Sequence, residues 1–144
     1  MAIRFYVDAD LLGLAHLLVQ VRADVTYAGD PGGTGIDKRP RDPSPVQPGD
    51  LDTEWIPRIA QQNWVVITKD RHMASRPWER DLIVDAGARH IRLQPSPGEK
   101  MRKWNQLEIV VGQWRAIERL VDEPGPWIYV ATRTQVRAEL TPPA

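Results

Sequence analysis

Two carboxylates close runs of β-forming residues. Asp8 ends "IRFYVD" (3–8), and Asp70 ends "WVVITKD" (64–70). Asp10 follows two residues after the first, and Asp52 and Glu54 open the segment that leads into the second. Carboxylates gathered in one place repel and raise one another's pKa, a cost that a divalent cation removes. Hard oxygen donors suit Mg²⁺ or Mn²⁺, ions that commonly keep several waters. A cation held in this way lowers the pKa of a coordinated water and stabilises charge on a phosphoryl oxygen. The chemistry to expect is metal-assisted hydrolysis of a phosphodiester, with no protein nucleophile. Each acid taken alone has a plainer explanation. Asp10 and Asp52 can cap helices, Glu54 can be a first-turn acid favoured by the helix dipole, and Asp8 and Asp70 can serve turns. Capping does not require two acids at strand ends on one edge, and that pairing favours a site.

The surrounding pattern must place these acids. "DLLGLAHLLVQVR" (10–22) has a wide helical apolar stripe with Asp10 positioned to cap it, and "DVTYA" (24–28) alternates as a strand. Residues 29–50, "GDPGGTGIDKRPRDPSPVQPGD", hold five Gly and five Pro and predict a long loop with no regular element. A helix is expected over 52–63, with Pro57 forcing a bend or a tight first turn. The continuous apolar run 64–68 fits a central strand covered on both faces. A helix stopped by Gly87 and a strand over 89–93 follow. One long helix over 99–121, a strand over 126–133 and a tail complete the chain. Such alternation predicts an α/β fold with a mostly parallel sheet and a ligand site beyond the carboxyl ends of the strands. Asp8 and Asp70 then share one edge. Asp52 is expected at the opposite edge from the end of the following strand, reaching the site only through a tilted helix or an overfolded loop.

The residues "FYVDAD" and "DTEWIPRIAQQNWVVITKDRHM" resemble PIN-like domains, in particular the compact bacterial subgroup of VapC-type toxins. The resemblance covers roughly 3–93. Asp8 matches the acid ending the first strand, Asp52 the acid opening the helix before the last core strand, and Thr68-Lys69-Asp70 the "T-[KR]-D" signature. It implies a three-layer α/β/α fold. It also implies a ribonuclease using Mg²⁺ or Mn²⁺ held by Asp8, Asp52 and Asp70, usually restrained by a cognate antitoxin. Family members carry a further acid, often Glu, on an intervening helix. Here that region is the Gly/Pro loop with Asp30, Asp37, Asp42 and Asp50, and Asp10 is the candidate substitute, with Glu54 a neighbour of Asp52. The alternative implied by the missing Glu is a catalytically degenerate module that binds RNA or protein.

Composition narrows the field. The chain has 144 residues, 19 basic and 19 acidic, with no cysteine, which excludes disulfides, thiolate metal sites and cysteine nucleophiles. One domain spanning 1–144 is expected, with 29–51 as the loop and 94–144 as a helix-and-strand extension. No apolar run approaches a membrane span and no signal peptide precedes the first strand, so a cytoplasmic protein is the default. With zero formal net charge, RNA contact must come from local cations. The candidates are Thr68, Lys69 and Arg71, then Arg76 and Arg80, and the loop cluster Lys38, Arg39 and Arg41. His16 is expected packed and His72 incidental. No P-loop, G-x-S-x-G elbow or H-E-x-x-H motif is present. The stripe of Trp104, Leu107, Val111, Trp114 and Ile117 is read as core, or else as a surface for an antitoxin or a second copy.

Overall fold

The computed structural model describes residues 2–34, 40–71 and 75–143. A six-stranded sheet runs in the order β2-β1-β5-β6-β7-β8, with a separate two-stranded pair β3-β4. The strands are β1 (Phe5–Val7), β2 (Val25–Tyr27), β3 (Gly33–Thr34), β4 (Pro40–Arg41), β5 (Val65–Thr68), β6 (Arg89–Leu93), β7 (Trp127–Ala131) and β8 (Val136–Leu140). The helices are α1 (Leu12–Val21), α2 (Asp52–Gln61), α3 (Pro77–Ala86), α4 (Lys103–Gly112) and α5 (Trp114–Leu120). All pairings in the large sheet are parallel except β7 with β8. The architecture is the expected mostly parallel α/β/α sandwich.

Strand alternation sorts the core into two layers. Phe5, Val7, Val65, Ile67, Ile91 and Leu93 pack with Leu14 and Leu18 of α1, Ile109 and Val110 of α4 and Ile117 of α5. Tyr6, Val66 and Ile128 pack on the other face with Trp55, Ile56 and Ile59 of α2 and Ile83 of α3. All four residues of β5 are buried, as a central strand covered on both faces requires.

The sequence order reverses direction at β1. The chain leaves β1 for β2 through α1 on one face, and returns to the other side of β1 at β5 through α2 on the opposite face. Doubly wound sheets open a crevice beyond the carboxyl ends at such a switch point. It lies between β1 and β5, where the Asp8 amide donates to the Ile67 carbonyl at 2.9 Å.

Several elements depart from expectation. The Gly/Pro segment contains the short antiparallel pair β3-β4. It is pinned by buried Asp30, which accepts from Thr26 Oγ1 at 3.0 Å, from the Gly32 amide at 2.8 Å and from Arg41. A buried carboxylate with that many donors supplies order that the local sequence lacks. The predicted helix over 99–121 starts only at Lys103 and divides at Gln113. Gly112, a poor helix former, stands at the break, and the new direction carries Trp114 against Phe5, with ring centroids 4.9 Å apart. Strand β8 covers 136–140, where no element was expected. Pro57 sits within an unbroken α2, and the first turn is tightened by a Glu54 amide bond to the Leu51 carbonyl at 2.8 Å. Gly87 ends α3 at φ 68°, a left-handed conformation that glycine adopts without the usual Cβ penalty.

Candidate functional site

The carboxyl ends of β1 and β5 are adjacent, and side chains from both meet there. Asp8 follows β1 directly, and its Oδ1 accepts from the Ala9 amide at 2.7 Å. A single 3₁₀ turn, Ala9–Leu11, then carries Asp10 back over the end of β5. Thr68 Oγ1 lies 3.1 Å from Asp8 Oδ2 and 3.2 Å from Asp10 Oδ2, as the donor to both. One hydroxyl has one proton, so the two carboxylates compete for it. The same oxygen accepts from the Asp70 amide at 3.3 Å, and the Lys69 amide donates to Asp10 at 3.4 Å. The Thr-Lys-Asp signature therefore acts as a stitch: its hydroxyl and the Lys69 amide hold the acids of the first strand end, and the Asp70 amide braces the hydroxyl.

Asp10 is not the cap of α1. That helix has Leu11 in the cap position without a side-chain bond, and the carboxylate that caps the preceding turn is Asp8. Asp10 is instead free to face Thr68 because the 3₁₀ turn inserts between strand and helix.

The electrostatics match a crowded acid site. Burial, followed by the charges of Asp10 and, more weakly, Asp52, pushes the Asp8 carboxyl up to about 7. Burial also raises Asp10, against hydrogen bonds from Lys69 and Thr68 that lower it. Asp52 thus lies close enough to feel Asp8, contrary to the expected placement at the far edge. The reason is directional. Helix α2 runs back across the sheet before β5 returns, so the start of α2 and the end of β5 share an edge. The Asp52 carboxylate is oriented by the Trp55 indole, Nε1 to Oδ1 2.9 Å.

Asp70 sits beside Arg76, Nη1 to Oδ2 4.0 Å, while Arg76 holds Glu79 more closely at 2.8 Å. Glu54 is exposed on α2. Among the described residues no three His, Asp or Glu side chains converge into a ready-made cation cage. The acids drawn together by hydrogen bonds are Asp8 and Asp10, with Asp52 and Asp70 around them. Lys69 and Arg71 are exposed at the same edge. Arg41 is not available to a ligand, since it is buried on Asp30 and the Val25 carbonyl. Lys38, Arg39, Asp37 and His72 lie outside the described residues. His16 is exposed rather than packed, with its ring edge-on to Tyr27 at 5.1 Å. The Trp104 to Ile117 stripe splits, because Trp104 is 69% exposed whereas Ile117 is buried and Trp114 packs on the core.

Sequence reasoning passed over His90, which is buried in β6 with Nδ1 unpartnered and is held neutral by burial, its pKa near 3. It faces Trp55, 6.4 Å between ring centroids, in the layer beneath the site. It also passed over Trp78, 54% exposed, which shares a hollow with Asp50, Leu51, Asp52 and Thr53. Its placement near Asp52 depends on α3 packing against α2, which no local pattern announces.

A family profile described as a PIN like domain matches residues 4–94. The chain belongs to the PIN-like domain family. The matched span runs from β1 through the end of β6 and includes every acid described above. No curated protein and no solved structure matches the chain. Among the described residues, no helix is long and apolar enough to cross a membrane.

Proposed function

We propose that this PIN-like protein is a divalent-metal-dependent endoribonuclease, and that it is the toxin of a type II toxin–antitoxin pair acting in the cytoplasm. The observation that supports the nuclease reading is the shared edge of β1 and β5, where Asp8 and Asp10 face one Thr68 hydroxyl. The donor set fits Mg²⁺ or Mn²⁺. It offers hard carboxylate oxygens only, and a Mg²⁺ site needs one or two carboxylates with waters filling the rest. Burial first, and the neighbouring charge of Asp10 second, raise the Asp8 carboxyl, and a bound cation would offset both. Asp8 and Asp10 would hold the ion, with Asp52 and Asp70 acting directly or through water. When bound, such an ion supplies an activated water and charge stabilisation at phosphorus. The chain's own part is to hold these carboxylates with Thr68 and the Lys69 amide, and to bring the Lys69 and Arg71 side chains to the substrate phosphate.

The antitoxin, or a second copy of the chain, has a suitable surface in the groove between α1 and α4. Leu17, Val21 and Val111 are exposed there around Trp114. The absence of a three-acid cage among the described residues favours a second reading, a degenerate module that binds RNA without cutting it.

Incubation of purified protein with single-stranded RNA separates the two readings. Cleavage that requires added Mn²⁺ or Mg²⁺ and disappears in Asp8→Asn and Asp10→Asn supports the nuclease. Binding with no cleavage at any metal concentration supports the module. Thr68→Val keeps the shape of β5 but removes the donor shared by the two acids. It is expected to weaken Mn²⁺ binding by about 10–100-fold, the usual effect of losing a group that orients metal ligands, as read by calorimetry. Unchanged affinity would show that Thr68 orients neither acid.

A further inference from the structure

Asp52 opens α2, and the group that holds its carboxylate comes from the protein interior. Trp55, one turn further along the helix, donates from Nε1 to Asp52 Oδ1 at 2.9 Å. The bond engages one oxygen and leaves Oδ2 to a ligand. It is not a helix cap. Leu51, at the cap position, makes no side-chain bond to the helix start, and Asp52 turns to the indole rather than to the free amides there. Trp127 gives its N–H to the Glu123 carbonyl at 3.0 Å, and the buried N–H of Trp114 has no acceptor among the described residues. Among the described residues, the Trp55 bond alone runs from an indole to a carboxylate.

The indole itself is locked. Trp55 is 5% exposed and packs on Tyr6 of β1, ring centroids 5.2 Å apart, and on His90 of β6, 6.4 Å apart. Both partners are 1% exposed. Tyr6 stands two residues before Asp8 in the same extended run, so its ring is tied to the strand that ends in the acids. Turning the indole away from Asp52 requires displacing a packed core, whereas an untethered carboxylate at a helix start changes rotamer freely. The charges agree with this placement. Asp52 is felt by Asp8, and the Tyr6 hydroxyl is raised by burial first, then by Asp8, Asp50, Asp10 and Asp52. The aromatic group therefore lies beneath the acids of both β1 and α2.

We propose that Trp55 is a positioning residue: its indole N–H fixes the Asp52 carboxylate toward Asp8, and Tyr6 and His90 are the buried platform that locks the indole. The role rests on the metal-dependent reading above and deepens it. Metal ligands are oriented by outer hydrogen bonds, and here the orienting group is anchored in the core.

The test is calorimetric titration of Mn²⁺ into full-length variants. Trp55→Phe keeps an aromatic ring on the platform and removes the N–H. It should weaken Mn²⁺ binding by about 10–100-fold, the usual loss when a group that orients a metal ligand is removed. In an Asp52→Ala background, which keeps Asp8 and Asp10, the same substitution should change affinity by no more than about 2-fold, since the acceptor is already gone. Ile59→Val trims the same core layer on the same helix without touching the hydrogen bond. It should lower Tm and leave Mn²⁺ affinity as in wild type. A metal-free readout is the Trp55 indole N–H resonance, assigned by its loss in Trp55→Phe. It should shift in Asp52→Ala, which leaves the buried indole in place. Wild-type affinity in Trp55→Phe, an equal loss in Ile59→Val, an undiminished loss in the Asp52→Ala background, or an unmoved indole resonance would overturn the positioning role. No Mn²⁺ binding by wild type removes the metal-dependent reading and the role together, whereas wild-type binding that is unchanged in Trp55→Phe removes only the role.

Discussion

Asp8→Asn is expected to abolish the proposed metal-dependent RNA cleavage and at the same time to make the metal-free protein more stable at pH 8. The first effect follows from losing an anionic ligand. Charge stabilisation by a bound ion is worth several kcal/mol at the transition state, so the rate should fall by on the order of 10³-fold. The second follows from linkage. The folded Asp8 carboxyl titrates at about 7, against an ordinary value of 3.8. Between those two pH values the folded chain holds a proton that the unfolded chain has released. The Asp8 contribution to stability therefore falls as pH rises from about 4 to 7, and its penalty is fully present above 7. Its ceiling is roughly 4 kcal/mol, since each pKa unit is worth about 1.36 kcal/mol. Asparagine carries no such penalty and can donate to Asp10. Thermal unfolding in EDTA from pH 4 to 8 should show the Tm advantage of Asp8→Asn over wild type growing as pH rises toward 7, because the opposing rise contributed by buried His90 is common to both proteins. A Tm difference between Asp8→Asn and wild type that does not grow with pH would contradict the crowded acid site.

Arg89→Ala is expected to cost about 3–5 kcal/mol of folding stability and to leave Mn²⁺ affinity of the folded fraction unchanged. Arg89 is the first residue of β6, at the edge opposite the acids, and is 3% exposed. Its Nη1 donates to the Val121 carbonyl and to the Glu123 carbonyl at 3.1 Å, and its Nη2 donates to the Asn63 carbonyl at 2.5 Å. One guanidinium thus joins the turn between α2 and β5 to the connection between α5 and β7. Val121 lies at the C-terminal end of α5, where a cation is favoured by the helix dipole. Truncation leaves these carbonyls without their charged donor and opens a void beside Trp127, whose ring centroid is 5.9 Å from the guanidinium carbon. Arg89→Lys should recover only part of the loss, because a point ammonium cannot replace a planar fork that reaches three carbonyls. Circular dichroism melts measure the effect, with an expected drop of ~10 °C for Arg89→Ala. A change below a few degrees would show that water satisfies those carbonyls and that the fork is dispensable.

The strand ends were legible because β1 and β5 are short, apolar and terminated by acids. Parallel topology then brings Asp8 and Thr68 to one edge. The role of Asp10 was not legible. As a helix cap and as a partner of Thr68 it has the same sequence signature, and the 3₁₀ turn that decides between them has no strong local code. Asp52 was misplaced by an error of direction, since a helix antiparallel to the next strand begins where that strand ends. Strand β8 stayed hidden because an edge strand half open to solvent, with Arg137 and Glu139, lacks the apolar run of a central one. Gly112 gave a local reason for the break between α4 and α5, but the break is completed by Trp114 docking on Phe5, a contact between distant segments. The contact of the Lys103 side chain with Gly13 and the burial of Arg92 belong to the same class. They are properties of tertiary packing, and the matching residues look like ordinary surface positions in the sequence.

Asp8 and Asp10 are proposed to form a divalent-cation site at the junction of β1 and β5. Isothermal titration of Mn²⁺ into wild type, Asp8→Asn and Asp10→Asn at pH 8 tests it most directly. The account predicts about one ion bound per wild-type chain, with proton release that grows as pH is lowered toward 7, and loss of that binding in both variants. Equal Mn²⁺ binding in all three proteins, or none in wild type, would contradict it.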